Sequence, residues 1–276
     1  MKKFLGFRMQ NILTIFSLAI LVNFIYGEGK KEEVLGKIIE KYRNIDTVSG
    51  EMEIGMFMLG NEMKISSTFW KKEKKFRMEG TIMKPGMDSP MEQLIICDGK
   101  KMWQYIKGAN TVTTIDFSQF PDEVKNKIEK QQAFGGIDKN LPEEILKTID
   151  KINFTEKTEN EKNFYVLEIK DFGEIVKNLP VEVKHKIQIF KKLVILVDPS
   201  TYYITKIELY GEAEKPGVWI EFKNLKFGQI PDNLFSFEVP KDAYVIDITD
   251  MMIKMTETMA KSSEVIQKDT EIKKKE

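Results

Sequence analysis

Residues 93–105 read QLIICDGKKMWQY. Leu94, Ile95 and Ile96 run into Asp98-Gly99, and Trp103 and Tyr105 follow at once. Asp-Gly tolerates the positive φ values of a two-residue turn, so the stretch predicts a tight β-hairpin. On its N-terminal side, residues 51–59 (EMEIGMFML) alternate. Met52, Ile54, Met56 and Met58 share one face of that strand; Glu51, Glu53, Gly55 and Phe57 share the other. Further strands are expected at 64–71 and 76–83, with Lys72-Glu73-Lys74-Lys75 as a charged turn, and Pro85, Gly86 and Pro90 make 83–91 a loop. Beyond the hairpin, strands are expected at 111–117, 151–155, 164–170, 187–198, 202–210 and 218–227. Asp198-Pro199-Ser200 is a turn, and 234–247 gives a last pair of extended segments.

Helices interrupt this pattern. Residues 28–43 place Val34, Leu35, Ile38, Ile39 and Tyr42 on one stripe. Ser118 suits a cap for a helix reaching Gln132, with Pro121 in its first turn; Gly135-Gly136 ends it, and a second short helix is expected over 141–149. A helical excursion is expected at 173–186, interrupted by Pro180. Residues 249–268 form a C-terminal helix carrying Met251, Met252, Met255 and Met259, and 269–276 form a disordered tail. No repeat or low-complexity linker divides the chain.

The chain of 276 residues is 42% hydrophobic and 31% charged, with a formal net charge of zero. Acidic and basic residues are interspersed, which argues against nucleic acid as a partner. Lys2, Lys3 and Arg8 precede an apolar core at 12–26 of about 15 residues, short for a span of roughly 20. Residues 1–27 therefore read as a signal peptide, with an uncleaved inner-membrane anchor as the alternative. Cys97 is the only cysteine, so no intramolecular disulfide is possible, and its apolar surroundings read as those of a small buried hydrophobe.

Three segments resemble the LolA-like lipoprotein carriers. Residues 42–50 (YRNIDTVSG) are similar to that family's exit from its first helix, 94–105 to its central hairpin, and 230–247 (IPDNLFSFEVPKDAYVID) to its closing segment. The resemblance covers roughly 29–248. It implies an α+β fold: a curved antiparallel sheet, an incomplete β-barrel, with helices over its concave face. It also implies a periplasmic chaperone for lipoprotein acyl chains or lipid, moving cargo toward the outer membrane. The implied partners are an inner-membrane extraction complex and an outer-membrane acceptor; a monomer without cofactor is expected. The family's Arg-Pro pair, whose Arg helps hold a helical lid closed, is missing from residues 71–75; Lys72 and Arg77 are the candidate substitutes. The same fold also serves lipid-sensing regulatory domains that resemble the RseB family, and a fully packed structural envelope protein is a third reading.

The expected lipid-binding residues are Met52, Ile54, Met56 and Met58, joined by Phe69, Phe76, Met78 and Ile82, with Trp103 at the rim. Methionine adapts to chains of variable shape, and each buried methylene contributes about 0.8 kcal/mol. The same residues also suit ordinary core packing beneath helices, and Trp103 suits packing on the sheet's outer face. The helix 249–268 either packs on the sheet, covers its opening or meets a partner. No catalytic or metal site is expected: His185 is the only histidine, flanked by Lys184 and Lys186. Gly135-Gly136 reads as a helix stop, and Asp122-Glu123 and Glu143-Glu144 as first-turn acids.

Overall fold

In the computed structural model the described residues are 29–43, 45–58, 61–122, 151–159, 161–170 and 189–256. The leader, the short helix expected over 141–149, the excursion at 173–186, His185, Gly135-Gly136, Glu143-Glu144 and the tail lie outside them. Of the helix expected from Ser118 to Gln132 only 118–122 are described, and Ser118 is not its cap. Phe117–Gln119 form a 3-10 turn in which the Asp116 carboxylate accepts from Ser118 N–H (2.9 Å), and Phe120 is extended.

Helix α1 (Lys30–Arg43) precedes twelve strands. These are β1 (Thr47–Met58), β2 (Asn61–Lys72), β3 (Lys75–Met83), β4 (Met91–Cys97), β5 (Lys101–Ile106), β6 (Thr111–Asp116), β7 (Ile152–Glu159), β8 (Lys162–Lys170), β9 (Lys192–Val197), β10 (Ile204–Tyr210), β11 (Val218–Lys226) and β12 (Tyr244–Asp247). They form one sheet in the order β12-β6-β5-β4-β3-β2-β1-β11-β10-β9-β8-β7. The sheet is large, curved and unclosed, the incomplete barrel that the resemblance implies. Two meanders, β1–β6 and β7–β11, run outward from a seam where β1 pairs with β11. The segment between β6 and β7 therefore joins strands near opposite ends of the sheet.

Two further expectations need correction. The sheet is mixed, because β12 pairs with β6 in parallel. A parallel pair needs a long connection. Here the chain after β11 crosses the sheet's outer face, buries Phe235 and places Phe237 against Trp103 and Tyr105 before entering β12. The hairpin turn is also displaced by one residue. Asp98 N–H donates to the Lys101 carbonyl (3.1 Å), so Gly99-Lys100 is the central pair. Only Gly99 takes a positive φ there (+95°), and the Asp98 carboxylate accepts from the Lys100 and Lys101 N–H groups at 2.8 and 2.7 Å.

Helix α1 has Glu32 and Glu33 in its first turn, where they complement the dipole, and Glu33 pairs with Lys37 one turn on. Its apolar stripe is buried: Val34, Leu35 and Ile38 join the sheet's main core. Burying each such side chain contributes about 1.5–3 kcal/mol. Polar contacts fix its direction across the C-terminal meander. Lys30 pairs with Glu156 on β7, Lys37 donates to the Tyr202 hydroxyl (3.1 Å), and Tyr42 Oη accepts from Ile204 N–H on β10 (2.9 Å).

The C-terminal helix expected at 249–268 is described as far as 256. The Asp247 carboxylate accepts from Thr249 N–H at its start (2.8 Å). Met252 is buried against Ile115 and Phe120, while Met251 is exposed. This segment therefore packs on the same molecule at the β5–β6 end, and Met259 lies outside the described residues. Among the described residues no helix is long and apolar enough to cross a membrane.

Candidate functional site

Strand pairing sorts the side chains into two faces, because directly paired residues share a face. One row of the inner face runs from Phe154 through Leu167, Ile195, Ile207, Ile220, Ile54, Ile65 and Ile82 to Met91. It is apolar from β7 to β4. The neighbouring row runs Phe222, Met52, Ser67, Gly80, Gln93, Ile106. The next runs Phe69, Met78, Ile95, Gln104, Thr113. A fourth holds Val48, Lys71, Phe76, Cys97, Met102 and Ile115.

Met52, Ile54, Met56, Phe69 and Met78 lie together on this face, buried in the cluster that also contains α1. Phe76 and Ile82 are only partly buried against it, as are Met63 and Met102. Met58 closes β1 opposite Asn61. Trp103 stands apart: it pairs with Ile96 and Thr114 on the opposite face, its ring 6.3 Å from that of Phe237. The closing segment makes that outer face apolar enough to hold an aromatic, while Gln104 turns inward.

The sequence reading missed the inner-face polar groups. Ser67 Oγ donates to the Met52 carbonyl (3.3 Å). Gln93 is buried, and its Oε1 accepts from Gln104 Nε2 at 3.5 Å. Lys71 is only 8% exposed, and burial pushes its ammonium pKa down against the opposing pull of Asp46 and Glu73. Lys71 lies within the strand expected at 64–71, and period-two counting from Ile65 and Phe69 puts it on their face. Lys72 and Arg77, the candidate lid-holding cations, face outward instead. Lys72 reaches the Ile230 carbonyl and Asp232, Lys75 reaches the same carboxylate, and Arg77 donates to the Leu234 carbonyl (2.9 Å). They fasten the closing segment. Burial also raises the Cys97 thiol pKa, in keeping with an inert side chain. Among the described residues no group of three His, Cys, Asp or Glu side chains converges as a metal site.

No family model matches this chain. An uncharacterized protein of Methanocaldococcus jannaschii is 26% identical over 238 residues, which cover 83% of this chain and 58% of that protein. The chain thus spans little more than half the length of that relative. Among solved structures, it is similar to an uncharacterized conserved protein from Thermus thermophilus (TM-score 0.46, 14% identity, 79% of this chain and 99% of that one). It is also similar to the lipoprotein LppX of Mycobacterium tuberculosis (TM-score 0.39, 7% identity, 71% and 94%). A third similar structure is a domain from Vibrio parahaemolyticus assigned to outer membrane lipoprotein sorting (TM-score 0.28, 13% identity, 74% and 95%). Every one of these TM-scores is below 0.5, and no function is carried over from them. The fold stands on its own open, curved sheet and inner-face helix, the features that the LolA-like resemblance implies.

Proposed function

We propose that the protein shields lipid or lipoprotein acyl chains on the inner face of its sheet and carries them across an aqueous envelope compartment. One observation carries this reading. One row of the inner face is apolar across nine consecutive strands of an unclosed sheet, and α1 docks on the C-terminal meander, while Phe76, Ile82, Met63 and Met102 on the other meander stay partly exposed. Chains laid over Met63, Phe76, Ile82 and Met102 would gain the free energy of burial there. Met52, Ile54, Met56, Met58, Phe69, Met78 and Ile82 are the proposed lining, with Phe76 at its edge. In the fuller reading the chain is exported to the periplasm, and cargo passes from an inner-membrane extraction complex to an outer-membrane acceptor.

A second reading, a lipid-sensing domain that signals to a protein partner, has one observation in its favour. Edge strand β12 exposes Tyr244 (70%), Val245 and Ile246, which suits strand addition by another chain. Native mass spectrometry of the protein purified from its own cells tests both. Bound lipid is expected under either reading, and a co-purifying protein partner selects the second. A clean apo mass with no uptake of a fluorescent fatty acid overturns both and leaves a packed structural protein.

A further inference from the structure

We propose that the Gln93 amide is a fixed hydrogen-bond donor for the acyl carbonyl of an ester- or amide-linked lipid. This rests on the lipid-binding reading above and adds where the polar end of the ligand lies. Gln93 is 4% exposed, yet its Nε2 has no hydrogen-bond partner among the described residues. Buried polar groups are nearly always satisfied, so an orphan donor on a proposed binding face calls for an acceptor. The Gln104 contact does not supply one. Its amide meets Gln93 Oε1, at the long distance of 3.5 Å. Reversing both amides would turn Gln93 Oε1, an acceptor, to the unpartnered position; the site is a donor in the arrangement in which Gln104 donates to Gln93.

The position of Gln93 agrees with its chemistry. One row of the inner face changes character beside Gln93: Phe69, Met78 and Ile95 are apolar from β2 to β4, and Gln104 and Thr113 continue the row with polar groups on β5 and β6, next to apolar Met102, Ile106 and Ile115. An acyl lipid has the same division: tails, then carbonyls, then a polar head. Tails over β2 and β3 place the carbonyl beside Gln93 and the head toward Gln104 and Thr113. An ether-linked lipid has equal tails but only a weak acceptor at that point, so the site selects for the carbonyl linkage.

The test is a native mass spectrometry titration of the full chain with dioleoylphosphatidylglycerol and with its diether analogue of matched chains. The diester is expected to bind at least tenfold more tightly. Gln93→Leu should bring the diester to the level of the diether and leave diether binding unchanged. Gln93→Met, closer in shape, takes its place should the leucine variant not fold, with thermal unfolding as the check. Equal binding of both lipids by the wild-type protein overturns the role of Gln93 and leaves the lipid-binding face standing. Binding of neither lipid overturns that face, and this proposal with it.

Discussion

The indole of Trp219 occupies the space that any side chain on Gly55 would need. The two residues are directly paired across the β1–β11 seam, and a Cβ built on Gly55 overlaps the indole ring. Lys64 and Lys206 lie over the same ring, with Nζ 5.9 and 5.8 Å from its centroid. Gly55 is thus a packing requirement of the outer face at the joint between the two meanders. Gly55→Ala is expected to lower unfolding stability by about 1–3 kcal/mol, the usual cost of overpacking. Trp219→Val should recover most of that loss in the double variant. Urea unfolding of both singles and the double measures the coupling; additive losses would show that the two residues do not compete for space.

Tyr42→Phe removes the acceptor for the buried Ile204 N–H and should cost about 1–3 kcal/mol. The effect has an alkaline signature. Burial raises the Tyr42 phenol pKa, so above pH ~10 the folded state holds a proton that the unfolded state has lost, and stability falls as pH rises. The phenylalanine variant lacks that component. Chemical denaturation between pH 7 and 11 reads both effects.

Lys71 gives the opposite slope. Its folded pKa lies below the ordinary value of 10.5, so between the two the unfolded state binds more protons and stability rises with pH. Below the folded pKa the penalty for burying the charge is fully present. Lys71→Met is therefore expected to stabilise the protein at pH 7, with an advantage that shrinks as pH climbs toward 10.5. A variant less stable than wild type at pH 7 would mean that the ammonium makes a favourable contact in the folded chain.

Charge on the proposed lining should repel acyl chains, and the place of the charge decides what is measured. Met56 is 2% exposed, so Met56→Lys perturbs folding together with uptake. Phe76 and Ile82 are partly exposed, and a lysine there can keep its head in water. Phe76→Lys and Ile82→Lys are each expected to weaken fluorescent fatty-acid uptake tenfold or more, the loss of about 1.5–3 kcal/mol of side-chain burial. Glu79→Lys, on the other face, should leave it unchanged. Equal uptake by all three variants would remove β3 from the lining.

The legible parts of this fold were those written locally. The alternation of β1 placed Met52, Ile54 and Met56 together, and the stripe Val34–Leu35–Ile38 marked the helix that packs there. What pairing across the chain decides was hidden. Nothing near Tyr244 announces a parallel partner at Thr111, because that contact depends on the route of the intervening segment over the outer face. The same route decided between the two readings left open for Trp103: Phe237 gives it an apolar neighbour outside, leaving the amide of Gln104 to face in. Lys71 closed the strand expected at 64–71, but its charge, next to the lysine-rich turn, hid that its side chain is buried.

The two halves of the chain are interlocked by their pairing. β11 holds the flank of β1, and β12 holds the flank of β6, so the first six strands sit between bookends supplied by the second half. Neither half has its complete set of neighbours without the other. Two polypeptides divided between β6 and β7 would each expose unsatisfied ladder edges alone and recover them on mixing, which makes this architecture suited to fragment complementation.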